Sequence, residues 1–368
     1  MEMIDRKYSY WLLANNTLTS AQKRKLYEYF SDAYNLYFAS DEDIKKSHIL
    51  HTSDEIEAYY YHKKKWDLDG EYERFMNTGF TFVTVEDPNY PQGLMNIHDK
   101  PYGLYINGDL PSNEDKYIAM VGARMASIYG KKISTELATT LGRFGYTVVS
   151  GMAKGIDAYS HVGCMDGGGK TVAVLGCGVD VIYPSQNANI YERIVENGCI
   201  ISEYPLGARP LAQQFPARNR IISGLCKKVI VVEAKKKSGS LITADFALSQ
   251  GRDLYAVPGR VGDVLSAGCN DLIYQGAGII TTVEEFMKDL TDIADSMYTG
   301  TSESILNTNS LAREEAIVYS CLDLYPKSIE DILSEAQLDF LAVLAAIAGL
   351  TRYGIIREVF KNYYIRLG

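Results

Sequence analysis

Hydrophobic and polar positions follow two different rhythms along this chain, and the change falls near residue 80. Up to about residue 75 apolar residues recur at helical spacing, with no proline and a single glycine, Gly70. Lys23 through Phe38 places Leu26, Tyr29 or Phe30, Ala33 and Tyr37 on one side, which predicts a helix there. From Phe80 onward short β-type runs take over: Phe80–Val85, Tyr117–Val121, Thr147–Ser150, Thr171–Leu175, Ile200–Ser202, Val229–Val232, Leu254–Val257 and Gly278–Thr281. Most are separated by stretches of 3.6-residue periodicity, the clearest being Ile133, Leu137, Leu141 and Phe144. Continuous apolar strands alternating with helices predict a mainly parallel, doubly wound α/β sheet over residues 80–290. Residues 291–311 are dominated by Ser, Thr, Asn and Asp, a linker composition. Residues 312–368 read as helices followed by a short hairpin, the pattern of a winged-helix module.

Composition narrows the classes. The chain has 368 residues, 46% hydrophobic and 23% charged, enough for two or three ordinary globular domains. No apolar run is long enough to span a bilayer and the N-terminus carries no signal-peptide core, so a cytoplasmic protein without membrane contact is expected. Six cysteines are scattered with no CxxC pair, and buried free thiols are expected. The histidines show no zinc spacing, and neither metal nor cofactor is expected. A net charge of −9 excludes a protein that coats duplex DNA by bulk positive charge, while leaving room for a local basic groove.

One segment concentrates candidate chemistry: Gln214-Phe215-Pro216-Ala217-Arg218-Asn219-Arg220. Arginine and asparagine can hold phosphate, and a phenylalanine beside them offers a face to a base. The alternative is a loop whose arginines are salt-bridged to their own domain. Four strand ends carry turns suited to an anion: Gly122-Ala123-Arg124, Ser150-Gly151-Met152-Ala153-Lys154, Gly176-Cys177-Gly178, and Lys235-Lys236-Lys237-Ser238-Gly239. Gly167-Gly168-Gly169-Lys170-Thr171 resembles the end of a P-loop, but Cys164 stands where the first glycine is needed and a strand succeeds it instead of a helix. The glycines at 176 and 178 lack the third one of a dinucleotide fingerprint. Asp157 and His161 lie four apart on a predicted helix, as an acid/base pair or, better, as a structural polar pair; no nucleophile is near them in sequence. The run Tyr59–Trp66, with three lysines, reads as a solvated face over a tyrosine core.

Taken together, Val121-Gly122-Ala123-Arg124, Ser150-Gly151-Met152-Ala153-Lys154-Gly155-Ile156-Asp157 with His161, Tyr183-Pro184, Phe215–Ile222, Ser238–Ala244 and Ala256–Gly259 resemble the DNA-processing protein A family (DprA, also called Smf) of bacterial natural transformation. Two departures stand out: Ala123 where the family usually has serine, and Lys154 where it has arginine. The resemblance implies an extended Rossmann-like domain at 80–290 that binds single-stranded DNA and forms a homodimer. It also implies delivery of that DNA to the RecA recombinase, a helical SAM-like domain at 1–75 and a winged helix at 312–368. On this reading the protein is not an enzyme. Gly122, Arg124, Ser150, Gly151, Lys154, Lys237, Ser238 and Gly239 would face phosphate, Phe215 a base, and Arg218, Asn219 or Arg220 adjacent backbone or base edges, with some of the glycines and one of the two arginines structural, that arginine paired with Glu233 or Asp157. The competing class is a nucleotide phosphoribohydrolase-like enzyme on a related fold, for which Glu233 at a strand end is the supporting residue. The segment Leu338–Ile347 is too apolar for a groove-reading helix and predicts packing or partner docking.

Overall fold

The computed structural model describes residues 3–114, 116–291, 312–323, 326–360 and 362–366. The chain divides into two compact units, Met1–Glu285 and Phe286–Gly368.

The first unit opens with helices α1 (Met3–Ala14), α2 (Ser20–Phe30), α3 (Ala33–Phe38), α4 (Asp41–Lys46), α5 (Ser53–Lys65) and α6 (Leu68–Met76). The single helix expected over 23–38 is broken in two. Ser31 takes a left-handed conformation (φ 74°), and Asp32 caps α3 by accepting from the Asn35 amide. Local capping overrides an apolar stripe that continues across the break. In α5 Tyr59 is buried while Tyr61, Lys64 and Lys65 face solvent. These helices are joined to the sheet through a common interior. Trp11, Leu12 and Tyr59 share one core with Phe82, Tyr105 and Ile200 of the sheet, and Arg6 and Ser9 bond Asp87 and Glu86. The boundary expected near residues 75–80 is therefore a change of secondary structure inside one compact unit.

The remainder of that unit runs β1 (Thr81–Thr84), α7 (Gln92–Met95), β2 (Gly103–Gly108), β3 (Lys116–Val121), α8 (Ile128–Arg143), β4 (Tyr146–Ser150), α9 (Ile156–Asp166), β5 (Thr171–Val174), α10 (Ala188–Glu196), β6 (Gly198–Ser202), α11 (Gln214–Leu225), β7 (Lys228–Val231), α12 (Gly239–Ser249), β8 (Asp253–Ala256), α13 (Ala267–Tyr274), β9 (Gly278–Ile279) and α14 (Val283–Thr291), the last crossing into the second unit. The nine strands form one sheet ordered β1-β2-β6-β5-β4-β3-β7-β8-β9. From β6 to β9 all neighbours are parallel, whereas β2 pairs antiparallel with both β1 and β6. The result is a doubly wound, Rossmann-like sheet extended on one side. Its central strands are buried on both faces, as their continuous apolar sequences require.

The second unit contains α15 (Arg313–Cys321), β10 (Lys327–Ser328), α16 (Ile329–Ala336), α17 (Phe340–Arg352), β11 (Ile356–Phe360) and β12 (Tyr363–Arg366), with a three-stranded sheet ordered β10-β12-β11. Val343, Ala346, Ile347 and Leu350 of α17 are buried in its core, while Phe340 and Leu341 are exposed. The 291–311 linker lies, after its first residue, outside the described residues. Among the described residues no single helix is long and apolar enough to cross a membrane, and no group of three or more His, Cys, Asp or Glu could hold a metal ion. All six cysteines are unpaired, and only Cys321 is not fully buried.

Candidate functional site

The sheet order reverses between β3 and β7: successive strands after β3 lie to one side, and those after β7 to the other. Connections on opposite sides leave a crevice at the carboxyl ends of these two strands, where open α/β sheets bind ligands. A cavity of about 650 Å³ opens there. It is lined by Gly122, Ala123 and Arg124 after β3, Ala153 and Asp157 after β4, Tyr183 after β5, Phe215, Arg218 and Asn219 of α11, and Ser238, Gly239, Ser240 and Thr243 at the start of α12.

The segment 214–222 is helix, not loop. Pro216 sits in the first turn of α11, where its missing N–H costs no intrahelical bond. Helical geometry then sends the two arginines to different sides, since residues two apart do not share a face. Arg218 is 5% exposed and spent internally. Its Nη1 donates to the carbonyls of Val174 and, at 2.9 Å, Gly151, and its Nε donates to Asn219 Oδ1 at 3.2 Å. Burial pulls its pKa down to about 10, against the pull of nearby Asp157. Arg220 faces away from the crevice. It holds both oxygens of Glu203 at 2.8 and 2.9 Å, and its Nε lies 3.0 Å from Asp99 Oδ2. The expectation that Arg220 faces DNA is thus corrected: its charge is already neutralised inside the protein.

Arg124 differs from both. It is exposed, and among the described residues no carboxylate lies within salt-bridge distance. Its guanidinium carbon stands 5.8 Å from the centre of the Phe215 ring. Phe215 is half-buried, with Tyr183 beside it at 5.4 Å between ring centres. Glycine at 176 seats this ring, because a Cβ there would lie 3.1 Å from Phe215 Cδ1. Asn219 Nδ2 donates to the Gly239 carbonyl at 3.2 Å and so ties α11 to the start of α12. Ser238 gives α12 no side-chain cap, its hydroxyl meeting that of Ser240 at 2.7 Å instead. Amides at this helix start therefore lie beside the cavity, with the positive end of the helix dipole behind them.

At the start of the turn after β4, Ser150 and Gly151 support the site from within, while Ala153 and Asp157 further along line the crevice. Ser150 is buried and its hydroxyl donates to the Met120 carbonyl at 2.6 Å. Gly151 donates its amide to Asp157 and offers its carbonyl to Arg218; a Cβ on it would lie 2.6 Å from Arg218 Nη2. The phosphate contacts expected of Ser150 and Gly151 are corrected accordingly. Lys154 and Lys237 are exposed but do not line the crevice. Asp157 and His161 are both buried, yet each takes different partners. Asp157 accepts from the amides of Gly151 and Ala153, with its pKa raised by burial against the opposing pull of Arg218. His161 Nδ1 meets Thr171 Oγ1 at 2.6 Å. Since Thr171 Oγ1 donates to the Val148 carbonyl, it accepts from Nδ1–H, which fixes the tautomer. Burial pushes the His161 pKa down to about 3.

Glu233, the residue that would support the hydrolase reading, is buried at the end of β7. It accepts from the amide of Ser127 at 2.9 Å and from its hydroxyl, Ser127 being the N-cap of α8. It anchors a helix start and does not face the cavity. Sequence reasoning assigns no role to Tyr183, Ser240 or Thr243. An aromatic in a loop just beyond a strand end is the available signal for Tyr183; the other two lie inside a motif already singled out.

The family described as DNA recombination-mediator protein A matches residues 81–291. DNA processing protein DprA of Streptococcus pneumoniae is 36% identical over 282 residues, covering 77% of this chain and 97% of the relative. Protein Smf of Synechocystis is 41% identical over 213 residues, covering 57% of this chain and 54% of that protein, so the chain spans about half of it. The X-ray structure of the S. pneumoniae protein superposes with a TM-score of 0.69 at 35% identity, covering 77% of this chain and 97% of that one. A structure of DNA processing protein A from Helicobacter pylori, described for its single-stranded DNA binding mode, gives 0.52 at 31% identity over 58% of this chain and 97% of that one.

Proposed function

Because the chain belongs to the DNA recombination-mediator protein A family, we propose that it binds single-stranded DNA at the switch-point crevice. The observation that carries this is the exposed Arg124 guanidinium, which has no carboxylate within salt-bridge distance among the described residues, beside the half-buried Phe215 ring. A charged fork for a phosphate stands next to an aromatic face for a base. Gly122 and the α12 start at Ser238 and Gly239 supply backbone amides to the same strand, and Lys154 and Lys237 meet phosphates outside the crevice. Stacking accepts any base, so sequence preference is weak. The protein acts in natural transformation and DNA processing, as a cytoplasmic homodimer that shields incoming strands and helps load the RecA recombinase. Exposed Tyr274 and the edge strand with Ile279 support a dimer surface there. The helical N-terminal region serves as a SAM-like module and the second unit as a winged helix that docks protein instead of reading duplex.

The test is binding of oligo-dT and of duplex DNA at several salt concentrations. Single strand is expected to bind much more tightly, with a logarithmic salt slope of about −0.7 per phosphate neutralised. Equal affinity for duplex would refute the reading. Incubation with nucleoside monophosphates is expected to release no free base.

A further inference from the structure

We propose that Tyr183 is a second stacking ring, so that the crevice mouth holds two successive bases, one on Phe215 and one on Tyr183. This rests on the single-strand reading above and specifies how that strand is held. Tyr183 serves no core: it is 42% exposed, in a loop otherwise closed down by hydrogen bonds. The amide of Val181 donates to the Gly178 carbonyl at 3.0 Å, and Asp180 takes the Gly207 amide at 2.8 Å. Further along the chain, past Tyr183, buried Asn187 donates from Nδ2 to the carbonyls of Met152 at 2.9 Å and Ala153 at 3.3 Å. The loop is thus pinned to the same β4–α9 turn that Arg218 clamps. An exposed aromatic held in place loses little conformational freedom when a ligand packs on it.

The two rings stand 5.4 Å apart with an interplanar angle of 34°. Tyr183 is exposed and Phe215 only half-buried, so neither ring is fully covered by its neighbours. Successive bases in a stacked strand are about 3.4 Å apart. Two rings at the wider spacing therefore suit a strand whose neighbouring bases have parted, each resting on its own ring. A duplex cannot offer that arrangement without unstacking, so the pair also discriminates against it. Arg124, beside Phe215, is placed for the phosphate that accompanies the first base.

The test uses the full chain, oligo-dT and an abasic oligonucleotide of equal length. Tyr183→Ala is expected to weaken oligo-dT binding by about fivefold to a hundredfold, the range for loss of one stacking ring, without changing abasic binding. Tyr183→Phe is expected to recover what alanine loses, since the ring and not the hydroxyl is used. Tyr183→Trp is expected to show fluorescence quenching with oligo-dT but not with the abasic strand, which decides the matter even if the alanine variant melts early. Wild-type affinity in Tyr183→Ala, together with no quenching in Tyr183→Trp while Phe215→Ala still loses binding, would overturn the second ring and leave the single-strand site standing. Failure of the wild-type protein to bind oligo-dT would overturn both.

Discussion

The two sides of α11 carry the same kind of residue to opposite ends. On one side Phe215, Arg218 and Asn219 border the switch-point crevice; on the other Arg220 enters a polar cluster with Glu203 and Asp99, beside the N-terminal helices. Arginine content alone does not distinguish a ligand site from an internal tie. What distinguishes them is whether the guanidinium's donors are already taken. Arg220 has two carboxylates, Arg218 has two carbonyls and a neighbouring Asp157, and Arg124, from a different strand end, has a ring for a neighbour and, among the described residues, no carboxylate in salt-bridge reach.

The sharpest way to break this contrast is Arg220→Ala. Removing one member of a buried ion pair strands the other, at a cost of about 3 kcal/mol or more. Denaturant unfolding is expected to show that loss, while the folded fraction keeps its affinity for oligo-dT. A drop in affinity without a drop in stability would move Arg220 into the interface.

Arg124→Glu is expected to do the reverse. A charge-assisted contact is worth about 1.5–3 kcal/mol and the reversed charge adds repulsion, so single-strand binding nearly vanishes while the melting temperature stays put. Unchanged affinity in the folded variant would remove Arg124 from the site. Phe215→Ala is expected to cost about 1–3 kcal/mol of binding with little change in the salt slope, because a ring neutralises no phosphate. A marked fall in melting temperature would instead assign the ring to the core.

A smaller effect separates the supports from the surface. His161 is buried neutral, with its pKa moved from an ordinary 6.5 down to about 3. Below pH 6.5 the unfolded chain takes up a proton that the folded one refuses. Stability is therefore lost as pH falls from about 6.5 toward 3, at up to about 1.4 kcal/mol per pH unit. Asp157, whose pKa is raised by burial, works in the opposite direction at the acid end. Replacing His161→Gln is expected to flatten the decline between pH 6.5 and 4.5 in thermal melts, and an unchanged profile would show that His161 titrates normally. The smallest effect belongs to the second unit: a chain ending at Asp289 is expected to keep most of its affinity for oligo-dT. Tight duplex binding by residues 312–368 would contradict the docking role assigned to α17, whose apolar residues largely fill its own core.

The strands, the parallel sheet and the crowding of glycine turns at its carboxyl edge are legible in the chain, because period and turn chemistry are local properties. The strand β2 is not. Its Leu-Tyr-Ile run is bounded by Gly103 and Gly108, which read as turn punctuation, and its pairing with β1 and β6 is antiparallel, outside the parallel pattern. Helix α11 is equally hard to see in the sequence, because Pro216 resembles a breaker until its first-turn position is known.

Sequence alone determined which residue types gather near the sheet edge and that a family fold carries them. Tertiary structure decided which of them are free. The partners that occupy Arg218 and Arg220 come from other strand ends and from the loop after β1 and α7, and those that occupy Ser150 and Glu233 come from neighbouring β3 and the α8 cap. Hydrogen bonding and desolvation depend on distance in space, which no spacing along the chain encodes; only the folded crevice leaves Arg124, Phe215 and Tyr183 facing outward together.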